Sequence, residues 1–349
     1  MTPATTTSVH EAAQAARAAG KQLANLPELA RRELLLALAH ALEQPPTVAE
    51  LLAANHADLA AAQAEQVPAP LVARLGLGAA KLAGLAEGLR QLAAMPSRIG
   101  EVTLRRELDD ALVLERVSCP LGVLAVVFEA RPDAVVQIAG LALASGNAAL
   151  LKGGSEARHS NCALVELIRR VLAQHDLDPA CIALLDDRAA FRALLELDTL
   201  IDLVIARGSG EFVRTVMDAT KIPVLGHAEG LCHLYLHADA EPARAAAIAV
   251  DAKCSYPAAC NAIETLLWHR EAEAAAGACL QALVERGVEL RGDVDSQVLA
   301  TALGVPMIAA QPGDWDEEYG ALILSVRRVD DLEAALAHIE RHGSRHTED

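Results

Sequence analysis

Apolar positions over residues 8–95 recur at helical spacing, as in Leu34, Leu35, Leu38 and Leu42, and are interrupted at Pro45-Pro46, Pro68 and Pro70. This predicts a helical N-terminal layer. Over 102–120 the pattern changes to two strand-like runs, 103–108 and 111–117, flanking Asp109-Asp110, which predicts a protruding hairpin. Beyond it, short apolar runs alternate with amphipathic ones. Strands are expected at 122–128, 148–152, 182–185, 200–206 and 232–236, and helices at 132–144, 160–174 and 212–219. Such alternation builds a parallel sheet from βαβ units, so the expected class is a doubly wound, Rossmann-like α/β domain. From Glu241 a second α/β pattern begins, with helices at 242–252, 261–267 and 272–286 and a strand at 319–326. The boundary falls near 225–240. We divide the chain into 1–230, the helical layer, hairpin (102–120) and cofactor domain, and 231–349, a second α/β domain bearing the thiol.

Composition narrows the function classes. The 349 residues exceed what one core usually organises, and 53% of them are hydrophobic while only 2% are aromatic, so Ala, Leu and Val must supply the packing. The net charge of −17 repels nucleic acid and anionic membranes over most of the surface, although a local basic pocket can still take an anionic substrate. Seven cysteines without CxxC spacing indicate free thiols in a reducing compartment, and a cytoplasmic location is expected. The first ten residues lack a signal-peptide pattern. The uncharged stretch 134–151 is broken by Gln137 and Ser145-Gly146-Asn147, so no membrane span is expected.

Several residues are candidates for chemistry. Lys152-Gly153-Gly154-Ser155 follows a predicted strand and precedes a helix, where glycines admit a phosphate to backbone amides; an ordinary βα turn is the competing reading. Gly208-Ser209-Gly210 stands in the same context but has Val213 where a third glycine belongs, and alone is weak. Cys260 follows Tyr256-Pro257-Ala258-Ala259 and precedes a predicted helix at Asn261, whose N-terminus would favour the thiolate. Cys254 is its competitor, whereas Cys162, Cys181 and Cys279 read as small core residues. His233 and His237 have the i,i+4 spacing that places two ligands on one helix face, but the 232–236 segment reads as a strand, so no metal is expected. Glu229 is a candidate base or, on the blander reading, a solvated loop carboxylate, and Glu317-Glu318-Tyr319 opens a predicted strand as a ribose contact or, on the blander reading, is an acidic loop after Pro312-Gly313.

Taken together, Val126-Val127-Phe128-Glu129-Ala130-Arg131-Pro132-Asp133, Ser145-Gly146-Asn147, Leu151-Lys152-Gly153-Gly154-Ser155-Glu156-Ala157, Gly226-His227-Ala228-Glu229-Gly230-Leu231-Cys232-His233 and Tyr256-Pro257-Ala258-Ala259-Cys260-Asn261-Ala262-Ile263-Glu264-Thr265 resemble the γ-glutamyl phosphate reductases (glutamate-5-semialdehyde dehydrogenases) of the aldehyde dehydrogenase superfamily. The likeness spans essentially the whole chain. It implies an aldehyde-dehydrogenase-like fold and NADPH-dependent reduction of L-glutamyl 5-phosphate in proline biosynthesis. By the same resemblance Cys260 is the nucleophile and Asn261 an oxyanion contact. Lys152, Gly153, Gly154 and Ser155 face the adenosine ribose, Gly208 and Ser209 the pyrophosphate, and Glu317 the nicotinamide ribose. The general base of hydrolytic relatives does not align cleanly with Gly226-His227-Ala228-Glu229, and Ala130 stands where those relatives carry an asparagine. A hydrolytic dehydrogenase and a non-catalytic scaffold are the alternatives. The resemblance further implies a homo-oligomer and functional coupling to glutamate 5-kinase. The family pattern continues past Asp349, so a weaker oligomer and poor reduction of glutamyl phosphate are expected of this chain.

Overall fold

A computed structural model describes residues 6–67, 69–128, 131–185, 188–207, 210–226 and 230–348. The chain divides into two compact units, Met1–Gly226 and His227–Asp349.

The first unit opens with five helices, α1 (Thr6–Ala24), α2 (Glu28–Glu43), α3 (Pro45–Ala64), α4 (Ala69–Leu75) and α5 (Ala79–Ala94). Pro45 does not break α3 but starts it, because a proline in the first turn lacks only an N–H that would have no helical partner. The hairpin follows as β1 (Val102–Asp109) and β2 (Leu112–Val117), antiparallel and exposed at every position. Next come β3 (Val123–Val127), α6 (Asp133–Ala144), β4 (Ala148–Lys152), α7 (Arg158–Gln174), β5 (Ile182–Leu184), α8 (Arg188–Leu194), β6 (Leu203–Ala206), α9 (Gly210–Ala219) and β7 (Val224–Gly226).

These strands form a parallel sheet in the order β5-β4-β3-β6-β7. Successive side chains of a strand point to opposite faces. Leu124 and Val126 of β3 accordingly join a core with α2, α5, α6 and α7, while Val123, Ala125 and Val127 join another with α1, α8 and α9. The doubly wound expectation holds. Gly146, with φ of +72°, turns the chain from α6 into β4 where a Cβ would meet Pro120 Cγ at 2.9 Å, so both conformation and space call for glycine.

The second unit contains β8 (Cys232–Leu236), α10 (Pro242–Cys254), β9 (Ile263–His269), α11 (Glu273–Glu285), β10 (Glu289–Gly292), α12 (Val294–Leu303), β11 (Ile308–Ala309), β12 (Ile323–Val329) and α13 (Leu332–His342). Its sheet is also parallel, ordered β11-β10-β12-β9-β8. Helices α10, α11 and α12 pack on one face and α13 on the other.

Two expectations fail here. The helix predicted at 261–267 is strand β9, buried at all seven positions. A short buried run whose apolar residues are interrupted by Glu264 and Thr265 fits a strand or a helix by periodicity, and the central place in the sheet decides for the strand. The strand predicted at 319–326 begins only at Ile323, because Gly320 takes a left-handed φ of +58° and turns the chain first. No described helix is long and apolar enough to cross a membrane.

Candidate functional site

In the first unit Lys152 ends β4 as predicted and is half-buried. A Cβ on the buried Gly153 would lie 2.2 Å from Asn161 Nδ2 and 3.1 Å from Phe128 Cε2, so only glycine lets this turn pass between β3 and the start of α7. Ser155, exposed, opens a 3₁₀ turn over Ser155–Ala157 that runs straight into α7. Asn161 is itself buried, and its Oδ1 has no hydrogen-bond partner among the described residues.

The start of α7 is held by a residue that sequence reasoning missed. Asp58 of α3, 1% exposed, accepts from His159 N–H (2.9 Å) and Nδ1 (2.8 Å) and from Ser160 N–H (2.8 Å) and Oγ (2.6 Å). It therefore satisfies backbone donors of the first turn, which no helical carbonyl can reach. Asn55, one turn earlier on α3, donates to Ser160 Oγ (3.1 Å) and Leu75 O (2.7 Å) and accepts from Leu77 N–H (2.9 Å). The sheet changes direction at β3, with β4 on one side and β6 on the other, and the turn after β4 lies at the carboxyl end beside that switch point. Gly208, Ser209, Glu229 and Ala130 lie outside the described residues.

In the second unit Cys260 is exposed, but not at a helix start: it lies in the loop between α10 and β9. The helix-terminus argument for its thiolate therefore falls. Within that loop Ala259 N–H donates to Tyr256 O (2.9 Å) and Ala262 N–H to Ala259 O (3.0 Å). Gly230 packs so closely that a Cβ there would lie 2.0 Å from Cys260 O, and the buried Cys232 thiol donates to the same carbonyl at 3.4 Å. Asn261, the next residue, is exposed as well.

The other cysteines sort by burial. Cys119 is the only other exposed thiol; burial pushes the Cys181 thiol up to about 11 and Cys279 up to about 12, and raises Cys254 above its ordinary value despite the opposing charges of Arg286 and Lys253. Cys254 is thus the poorer candidate nucleophile.

The loop is bracketed by a second missed feature, a buried Lys253–Glu264 pair at 2.6 Å. Burial pushes the Glu264 carboxyl up to about 7 and holds the Lys253 ammonium below its ordinary value, each against the pull of its partner. Glu264 also accepts the Gly320 N–H at 3.3 Å. Glu317, exposed, is three residues before that glycine, and its segment is anchored through Asp314, which accepts from Arg291 Nη1 (2.8 Å), the Tyr319 hydroxyl (2.9 Å) and Gln311 N–H (2.7 Å). Burial pushes the Tyr319 phenol up to about 12, so it remains a donor. A charged residue inside the apolar run Ile263-Glu264-Thr265 was the available signal for the pair. Among the described residues no group of three or more His, Cys, Asp or Glu is placed to hold a metal.

A family model described as the aldehyde dehydrogenase family matches residues 1–311. The γ-glutamyl phosphate reductase of Synechococcus elongatus is 51% identical over 340 residues, covering 96% of this chain and 77% of its own length. The crystal structure of the γ-glutamyl phosphate reductase of Thermotoga maritima superposes with a TM-score of 0.91 at 29% identity, over 97% of this chain and 81% of that one. The corresponding enzyme of Saccharomyces cerevisiae gives 0.59 at 33% identity, over 98% and 85%. The chain therefore belongs to the aldehyde dehydrogenase family of oxidoreductases, in the branch of the γ-glutamyl phosphate reductases.

Proposed function

We propose that this chain reduces L-glutamyl 5-phosphate to L-glutamate 5-semialdehyde with NADPH, releasing phosphate, as a cytoplasmic step of proline biosynthesis. The observation that carries this reading is an exposed Cys260 on a loop held by Gly230, Cys232 and the flanking ion pair, in a chain of this family.

In the proposed reaction the Cys260 thiolate attacks C5 of the acyl phosphate. An Sγ–C5 bond forms, the C5–O bond to phosphorus breaks, and phosphate leaves. Bound NADPH supplies the hydride that the resulting thioester accepts at C5. The Asn261 amide and neighbouring backbone N–H groups are the donors assigned to the oxyanion. Collapse then breaks Sγ–C5, releases the aldehyde and restores the thiolate. No water is activated, which suits a chain whose Gly226-His227-Ala228-Glu229 stretch does not align with the hydrolytic base.

The first unit's turn suits a dinucleotide. Gly153 brings backbone against Asn161 and Phe128, the Asn161 oxygen, unpartnered among the described residues, is an acceptor beside the turn, and the exposed Ser155 hydroxyl stands before α7. We assign Lys152, Gly153, Gly154 and Ser155 to the adenosine end, Gly208 and Ser209 to the pyrophosphate, and Glu317 to the nicotinamide ribose. Ser155 leaves room for a 2′-phosphate and Lys152 brings a positive charge, which favours NADPH over NADH. The hairpin, with Leu104, Leu108, Leu112 and Leu114 exposed, is assigned to association with further copies of the chain.

Enzymatically generated glutamyl phosphate tests the reading. NADPH oxidation matched mole for mole by phosphate release supports it, and no oxidation above the phosphate-free control overturns it.

A further inference from the structure

Lys253 and Glu264 are both buried, yet neither touches solvent or enters the chemistry above. Lys253 is in the last turn of α10 and Glu264 is the second residue of β9, so the pair closes the two ends of the loop 255–262 that carries Cys260. The sheet register supports a dedicated geometry. Cys232 pairs with Ile263 and His233 with Thr265, which leaves Glu264 as an extra residue in β9. A bulge of this kind re-aims a side chain. The second carboxylate oxygen accepts Gly320 N–H, in the segment that carries Glu317. A buried ion pair is weak evidence for stability as such, because well-packed apolar side chains of equal volume often serve as well.

We propose that Lys253 and Glu264 are positioning residues that fix the Cys260 loop and set it against the Glu317 segment. The inference deepens the proposed function and rests on Cys260 as nucleophile. One carboxylate ties three backbone segments together: a helix end by an ion pair, its own strand by the bulge, and the turn at Gly320 by an amide hydrogen bond. Apart from the Cys232 thiol and the Gly230 contact at the Cys260 carbonyl, the bonds among the loop's described residues are short turn bonds, so its position depends on how its ends are held.

Three variants of the full chain test this, the third, Lys253→Arg, as the conservative control. Lys253→Met/Glu264→Leu replaces the pair by apolar groups, and Glu264→Gln keeps the shape while removing the charge. Four readouts are taken: melting temperature, hydrogen exchange of the peptide spanning 255–262, the rate of iodoacetamide labelling at Cys260, with the exposed Cys119 as internal reference, and kcat. The expected result, in whichever variant keeps its melting transition, is at least tenfold faster exchange in 255–262. With it, the Cys260 to Cys119 labelling ratio should change more than threefold and kcat should fall at least tenfold. Lys253→Arg, which retains the charge, should restore most of the unmutated behaviour. Exchange and labelling ratio within twofold of the unmutated chain in a folded variant would overturn the proposal. Labelling and exchange do not depend on turnover. An active Cys260→Ser variant would therefore sink the nucleophile assignment while these two readouts still decide whether the pair positions the loop.

Discussion

Removing the Asp58 carboxylate should loosen the start of α7 and, through it, the turn at Lys152 to Ser155. In Asp58→Ala the Ser160 N–H and Oγ–H, both on a fully buried residue, lose their acceptor, whereas the His159 groups, on an exposed side chain, can turn to water. Two buried orphaned donors cost about 1–3 kcal/mol each, so a loss of about 4 kcal/mol is expected. The unit affected runs Met1–Gly226, and domains of that size lose about 2–4 °C per kcal/mol, which places the drop at about 8–16 °C. Asp58→Asn retains one acceptor oxygen and should lose roughly half as much. Because α7 begins three residues after Ser155, NADPH affinity should weaken severalfold in Asp58→Asn at a temperature where it is fully folded. Thermal unfolding by circular dichroism and NADPH fluorescence titration give the two readouts. A drop below about 2 °C in Asp58→Ala would refute the reasoning, since it would show that the donors find other partners.

Gly230→Ala places a methyl 2.0 Å from Cys260 O, so the reactive loop must move; turnover should fall at least tenfold while NADPH affinity, which we assign chiefly to the first unit's turn, should stay within twofold. His338 is held down to about 3 by burial and then by the charges of His233, His342, Arg327 and Arg341. Its folded value lies below the unfolded one, so it adds stability above about pH 6.5 that is lost as pH falls toward 3, about 2 kcal/mol of it by pH 5; denaturant titrations at pH 7 and 5 should show a smaller loss in His338→Leu. Ser155→Glu should reverse the preference for NADPH over NADH, because a carboxylate would repel the 2′-phosphate. Equal affinity for both cofactors in the unmutated chain counts against that placement.

Local pattern carried much of the fold. Ala148–Lys152 and Cys232–Leu236 begin and end where alternating apolar runs and turn residues place them, and the glycine turn after Lys152 follows directly. Where the pattern misled, two structures shared one signature: Ile263–His269 mixes apolar residues with Glu264, Thr265 and His269 and shows no clear strand period, and its central place between β8 and β12 makes it a strand. β10 and β11, of four and two residues, are too short to show a period, and the expected helix N-terminus at Cys260 vanished with the helix. The site's supports were less legible than its reactive groups. Asp58 and Ser160 are 102 positions apart, a pairing that no local pattern displays. Lys253 and Glu264 are 11 apart, and they become a pair only when the loop between them folds back.

The central claim is that Cys260 carries the acyl group, and mass spectrometry of the chain mixed with freshly generated glutamyl phosphate in the absence of NADPH tests it most directly. The account predicts one added glutamyl group on the peptide containing Cys260, none on the peptides containing Cys119 or Cys254, discharge of the adduct when NADPH is supplied, and no adduct in Cys260→Ser. A stable adduct on another residue, or turnover in Cys260→Ser at the unmutated rate, would contradict it.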